Sequence, residues 1–366
     1  MSQDPQHVPR PESSRQAPRG RGAAGNPRNR FERVELEPFD EDLAPEERLA
    51  PETLFLRDAS KSIISYNDSP DVGFNASLNP YRGCEHGCSY CYARPTHEYL
   101  GFSAGLDFET RILVKEDAPR LLREALASPR WKPQALALSG VTDPYQPIER
   151  RLQLTRRCLA VLAECLNPVV MITKNAQITR DLDLLAELAR RGCANVNITI
   201  TTLDAELARR LEPRTSTPRA RLEAICRLRE AGVPVGVLIA PVIPGLTDHE
   251  LPAIVKAVAD AGAGWARYIL LRLPHGLKEL FSDWLERNEP LKRDKVLGRL
   301  RAMRGGKLYD SRFATRGRGE GSWADQIETL FRVAHRRAGL GDPPALSCDA
   351  FRRPVVGQME LFGSGW

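Results

Sequence analysis

The chain has 366 residues, 42% hydrophobic and 27% charged, enough for one large α/β domain with tails or two ordinary domains. No apolar run approaches the ~18 residues that span a bilayer, and residues 1–33 hold no apolar signal-peptide core, so a membrane span is not expected and the expected location is cytoplasmic. The net charge of +6 is a mild bias that permits contact with nucleic acid without requiring it.

Residues 1–33 carry seven arginines and no lysine among Pro, Gly and Gln, and they read as a disordered basic tail. Within it, Arg19-Gly20-Arg21-Gly22 suits phosphate contact or is a solvated stretch. An acidic lead-in follows to residue 51, and 77–81 reads as a short strand. Next come an extended run at 111–115, a helix at 117–127, a strand at 135–139 and a long amphipathic helix at 148–166. Strands at 168–174, 195–201, 233–240 and 265–273 then alternate with helices at 178–191, 204–211, 219–231 and 248–261. These strands are continuous apolar runs, the pattern of parallel strands covered on both faces. Five or six such βα units predict an α/β fold, a partial (β/α)6 TIM-type barrel, because a complete barrel needs about 250 residues. The expected division is a barrel at 60–275, a C-terminal helical extension at 276–340 and a flexible tail at 341–366. Residues at the carboxyl ends of the strands should line the active site, which presents Ser139, Lys174, Thr199–Thr202 and Ala240.

Between the first strand and the alternation lies Cys84-x3-Cys88-x2-Cys91, three of the chain's eight cysteines. Cysteines of a cytosolic chain are expected to be reduced thiols or metal ligands. Cys158, Cys165, Cys193 and Cys226 sit among apolar residues and read as small buried hydrophobes. Thiolate sulfur suits zinc, copper(I) and iron–sulfur clusters. Three sulfurs curled into one loop would leave one position of an iron–sulfur cube unfilled. The alternative is a zinc site of the three cysteines plus His86, although no second short ligand pair exists elsewhere.

With Tyr90 before the third cysteine and a barrel behind it, this loop resembles the signature of the radical S-adenosylmethionine (radical SAM) superfamily. Over roughly 60–340 the chain looks closest to the group related to spore photoproduct lyase, a DNA repair enzyme. The matching stretches are Cys84–Tyr92, 139–143, Thr173-Lys174, 199–201, 211–213 and Ala240-Pro241. The resemblance implies that Cys84, Cys88 and Cys91 ligate a 4Fe–4S cluster whose fourth iron is chelated by S-adenosyl-L-methionine. Reductive cleavage of that cofactor would give a 5′-deoxyadenosyl radical for hydrogen abstraction, with electrons from a flavodoxin or ferredoxin type donor. It further implies Lys174 as partner of the methionine carboxylate, or a snorkelling ammonium, and Ser139 as contact to the methionine amino group. Thr199 would touch the ribose or methionine, or merely pack, while Tyr92 and the backbone of Ala240 would contact adenine.

The family's lyase has a cysteine directly after that serine, used to return a hydrogen atom to the product. Here the position is Gly140, so thymine-photoproduct repair by that route is not expected. The polar loop that follows offers Asp143, Tyr145 and Glu149 as candidate catalytic residues, or it is simply a helix entry. Glu212-Pro213-Arg214 and the Arg/Gly-rich 312–321 suit phosphate or are solvated loops. Gln358-Met359-Glu360-Leu361-Phe362 looks like the pentapeptide by which bacterial DNA-maintenance proteins dock onto the sliding clamp. The expected function is therefore a radical SAM enzyme acting on nucleic acid, in DNA repair or nucleic-acid modification. The rivals are radical SAM modification of a protein or small metabolite, and a non-enzymatic zinc- or cluster-stabilised binding protein.

Overall fold

The computed structural model describes residues 17–31 and 52–355. Ten strands occur in it: β1 Leu54–Arg57, β2 Ile64–Tyr66, β3 Ala76–Leu78, β4 Tyr81–Arg82, β5 Arg111–Val114, β6 Leu136–Leu138, β7 Val169–Thr173, β8 Ala194–Thr199, β9 Val235–Val242 and β10 Trp265–Leu270. The helices are α1 Leu106–Thr110, α2 Ala118–Ala127, α3 Glu149–Leu152, α4 Leu154–Cys165, α5 Leu182–Arg190, α6 Ala205–Leu211, α7 Pro218–Glu230, α8 Leu251–Asp260, α9 Leu277–Asn288, α10 Pro290–Ala302 and α11 Ser322–Arg337.

Seven strands form one sheet in the order β10-β9-β8-β7-β6-β3-β2, parallel throughout except for the antiparallel edge strand β2. Residues of β6 and β8 are buried on both faces, and in β8 these include Asn195 and Asn197 beside the apolar positions. The six parallel strands and the helices packed outside them make the partial barrel that the alternation predicts. The extended run at 111–115 behaves differently. As β5 it pairs with β1 and β4 in a separate three-stranded sheet and takes no part in the barrel. The long helix expected at 148–166 is broken at Gln153, which adopts a left-handed conformation (φ 50°) between α3 and α4.

One tight point in the sheet is set by sequence. Gly236 of β9 stands in register with Trp265 of β10, and a Cβ there would lie 2.1 Å from the indole. The indole Nε1 in turn donates to Asn197 Oδ1 at 3.0 Å on β8. A second apolar cluster joins Leu277, Phe281, Trp284 and Leu285 of α9 and Val296, Leu297 and Leu300 of α10 to Cys88 and Tyr90 of the cysteine loop.

The described parts of both expected tails depart from that reading. Residues 341–355 are a strap and not a flexible tail. Gly341 N donates to Gly264 O (2.9 Å), Ser347 N to Gly192 O (2.9 Å), Arg352 N to Cys165 O (2.7 Å), and Arg353 to Leu126 O and Trp131 O (both 3.1 Å). These acceptors precede β10, β8, β7 and β6, so the strap crosses the amino-terminal ends of the strands. Its few apolar residues suffice because backbone carbonyls at helix ends supply the bonds. Residues 17–31 lie against the cysteine loop, and their backbone amides rather than apolar side chains anchor them. The pentapeptide Gln358–Phe362 lies outside the described residues.

Replacing Gly236 by Ala forces the Trp265 indole off its site, and the expected loss is about 2–3 kcal/mol of stability. A fall in urea midpoint at unchanged slope checks this, and an unshifted midpoint contradicts it.

Candidate functional site: the cysteine loop and the strand rim

A loop as tight as Cys84–Cys91 pairs few of its backbone groups internally (Gly87 N to Cys84 O, 3.4 Å; Cys91 N to Cys88 O, 3.3 Å), and the others find partners elsewhere. Cys84 N donates to Phe108 O (2.8 Å), Ser89 N to Leu211 O (2.9 Å) and Arg214 N to His86 O (3.3 Å). Glu85 N donates to the Gln146 side chain (3.0 Å), while the Glu85 carboxylate accepts from Ile148 N (2.7 Å). Gly83 and Gly87 hold positive φ (81° and 65°), which the two reversals of the loop require. Beneath it, the wholly buried Arg94 bonds Cys88 O through Nε (3.0 Å) and Nη2 (2.9 Å) and pairs with the buried Glu109 (2.5 Å). On the other side Tyr90 donates to Glu212, which also accepts from Thr201 (2.7 Å) and pairs with the buried Arg221. Arg221 Nη1 reaches Thr199 O at 2.9 Å, so one ion pair ties the loop to the end of β8. Burial works against the charge of Glu212, yet Arg221 and Lys174 hold its carboxyl below the ordinary value.

Cys84 and Cys88 are buried and Cys91 is partly buried; all three are free thiols. Burial pushes the Cys88 and Cys91 thiols up, while the Lys174 ammonium pulls them down. A metal centre supplies the positive charge that such buried thiolates need. The donor set of three sulfurs, with no carboxylate among them, fits an iron–sulfur cluster. His86, the alternative zinc ligand, is engaged elsewhere: Nδ1 lies 3.5 Å from Asp143 Oδ2 and Nε2 3.3 Å from Asn175 Nδ2. Burial opposes its charge, but Asp143 and Cys84 raise its pKa to about 10. Among the described residues no three His, Cys, Asp or Glu side chains converge as they would on a single ion.

The rim residues singled out from the sequence come together here. Ser139 follows β6, Lys174 follows β7, Thr199 ends β8 and Ala240 lies near the end of β9, and these four strands are consecutive neighbours in the sheet. Lys174 Nζ stands over the Tyr90 ring (5.8 Å to its centroid) and pairs with no carboxylate among the described residues. Tyr92 is half exposed, and its hydroxyl donates to Gly140 O at 2.7 Å. A Cβ on Gly140 would stand 3.3 Å from Ser77 Cβ and 3.5 Å from the Phe74 ring, so that position is tightly walled.

The polar loop after β6 is not a set of catalytic groups. Tyr145 is fully buried in the main core, and its hydroxyl donates to Asp181 Oδ2 at 3.0 Å. Glu149 is fully buried, accepts from Thr155 N at the start of α4 (3.1 Å) and pairs with Arg180 (2.9 Å). Asp143 serves positioning: it accepts from Lys174 N and Thr173 Oγ1 (both 2.7 Å) and faces His86. Burial raises its pKa, but His86 and these bonds bring it down to about 2. In 312–321, Arg312 pairs with Asp310 and Glu320 and Arg316 with Asp71, so two of its three arginines serve the protein itself.

Sequence reasoning missed Arg94, Glu109 and Arg272. Arg272 follows β10 at the same rim, its guanidinium over the Tyr92 ring (5.3 Å) and its buried Nε without a hydrogen-bond partner. A single arginine after an apolar strand is the signal that could have marked it, as a lysine did at 174.

The Radical SAM superfamily profile matches residues 78–258. An uncharacterized protein from Mycobacterium tuberculosis is 40% identical over 219 residues, covering 59% of this chain and 64% of that relative. The chain thus spans just under two thirds of the length of that relative. A protein from Pseudomonas phage M6, described as a radical SAM Nalpha-GlyT isomerase, is 26% identical over 293 residues (73% of this chain, 56% of that one). Spore photoproduct lyase complexed with dinucleoside spore photoproduct shares the fold with a TM-score of 0.54 at 16% identity, covering 78% of this chain and 80% of that one.

The Glu212–Arg221 pair gives a direct check on how the loop is held. Glu212→Gln strands a buried guanidinium, and the expected cost is about 3–5 kcal/mol, read as a lowered denaturation midpoint. A cost under about 1 kcal/mol, the worth of an exposed pair, contradicts the placement. The profile match, the cysteine spacing and the strand rim beside it agree: residues 78–258 carry a radical SAM domain.

Proposed function

We propose that this enzyme acts on nucleic acid, abstracting a hydrogen atom from a nucleotide held at the strand rim. When bound, a 4Fe–4S cluster and S-adenosyl-L-methionine supply one-electron cleavage of the sulfonium and the hydrogen-abstracting group. In this reading Cys84, Cys88 and Cys91 hold the cluster. The unpaired ammonium of Lys174 orients the methionine carboxylate, and Ser139 and Thr199 flank it. Tyr92 and the Ala240 backbone bound the adenine, with the Tyr92 ring fixed by its bond to Gly140 O. The apolar faces of α9 and α10 behind Cys88 and Tyr90 keep water from the cluster side.

Arg272 is the observation that carries the choice of substrate. Its guanidinium lies at the rim beside a half-exposed aromatic ring, and no carboxylate pairs with it among the described residues. A free guanidinium next to an exposed ring suits a phosphate and its adjoining base. Spore photoproduct lyase, which shares the fold, is complexed with a dinucleoside, which supports the same class. The walled position at Gly140 speaks against thiol-mediated thymine-photoproduct repair, so another lesion or modification is the proposed target.

Anaerobically reconstituted protein should carry about four irons and release 5′-deoxyadenosine on reduction by dithionite or a flavodoxin or ferredoxin type donor, and Cys88→Ala should abolish both. With deuterated DNA, RNA and peptide offered in parallel, label is expected in 5′-deoxyadenosine from nucleic acid. Label arising solely from peptide or a small metabolite refutes the substrate class. Arg272→Ala should weaken nucleic-acid binding by about 1 kcal/mol and lower the salt slope by about 1, whereas an unchanged slope removes Arg272 from the interface.

A further inference from the structure

We propose that residues 21–30 are a built-in clamp on the cysteine loop, positioned by Glu109, that sets how long the loop retains its cluster; this rests on the cluster reading above. The segment lies directly on the loop. A Cβ on Gly22 would stand 1.8 Å from Gly87 O and 3.1 Å from Ser89 N, so the backbone of residue 22 touches the loop on both sides of Cys88. No side chain fits there.

The hold is made by charge and backbone. The buried carboxylate of Glu109 accepts from Gly22 N (3.1 Å) and Ala23 N (2.9 Å), two successive amides. The same carboxylate pairs with Arg94, whose guanidinium grips Cys88 O. Glu109 therefore links the segment to the carbonyl of a cysteine through a single intervening side chain. Gly87 is bound into the same contact, since a Cβ there would lie 2.6 Å from Glu109 Oε2.

Downstream the segment is fastened twice more. Asn26 exchanges bonds with Asp107, its Nδ2 donating to Oδ1 (3.0 Å) and its Oδ1 accepting from Asp107 N (2.9 Å). Gly25 O accepts from Leu106 N (3.2 Å) and approaches so closely that a Cβ on Gly105 would stand 2.1 Å from it. Asn29 Nδ2 then bonds Glu98 O (3.0 Å) and Phe102 O (2.9 Å), and Arg30 pairs with Glu98 (2.6 Å) and meets His275 beyond β10 (2.9 Å). The path runs over the loop and on toward the rim. Such a path closes the outward side of the loop, as the helices α9 and α10 close the inward side.

The test uses full-length reconstituted protein and two matched variants. Gly22→Ala places a methyl on the Gly87 carbonyl, whereas the Cβ position of Gly25 is open, so Gly25→Ala is the control. Iron release to a strong chelator is followed anaerobically, with melting temperature and the rate of tryptic cleavage at Arg28 measured on the same samples. Gly22→Ala is expected to release iron roughly tenfold faster and to be cut faster at Arg28, at an unchanged melting temperature. Gly25→Ala should behave as the wild type. Adding Asn26→Ala to Gly22→Ala should speed release further. Equal release rates for Gly22→Ala and Gly25→Ala overturn the clamp while leaving the cluster intact. A wild-type protein that takes up no iron overturns both the clamp and the cluster reading.

Discussion

An eight-residue loop that carries three cysteines closes few backbone bonds of its own, Gly87 N to Cys84 O and Cys91 N to Cys88 O, and the rest of the molecule is arranged around that deficit. The bonds it lacks come from α1, from the entry to α3, from the end of α6 and from the segment before α7. Each partner lies elsewhere in the chain. The barrel is therefore a frame that brings four separate stretches to one loop, and its parallel strands end where the loop sits. The same geometry lines up Ser139, Lys174, Thr199 and Ala240, because consecutive parallel strands deliver successive carboxyl ends to one rim.

Two buried ion pairs flank the loop, Arg94–Glu109 and Arg221–Glu212. Buried pairs contribute little net stability against apolar replacements, so their value here is geometric. Each cation also bonds a backbone carbonyl, of Cys88 in one case and Thr199 in the other, which fixes the loop relative to the rim. Lys174 and Arg272 differ from these. Their charges face the rim without a carboxylate, a state suited to anionic ligands and costly to leave buried without one.

The cysteine loop was legible because metal ligation depends on spacing, and spacing is a property of the chain. The barrel strands were legible for a related reason, since burial on both faces leaves unbroken apolar runs. Tyr145 and Glu149 misled because a polar residue after a strand can face the rim or turn into the core. Gln153 decides this by breaking the helix and turning Glu149 onto the α4 amides. Residues 17–31 and 341–355 read as tails because each is held through backbone groups and a few polar side chains such as Asn26, Arg30 and Arg353 rather than through buried apolar ones. Composition registers the missing apolar anchors and is blind to those bonds. β5 looked like a barrel strand because an apolar run does not say which sheet receives it.

By itself, then, the sequence determined the cysteine spacing, the parallel α/β class and the set of polar residues that close the strands, all consequences of local order along the chain. Tertiary structure alone decided which polar groups face the rim and which are buried, that Gly22 meets Gly87, and that Glu109 connects the N-terminal segment to Cys88 through Arg94. Those contacts join residues 65 and 87 positions apart, and only the folded chain brings them together.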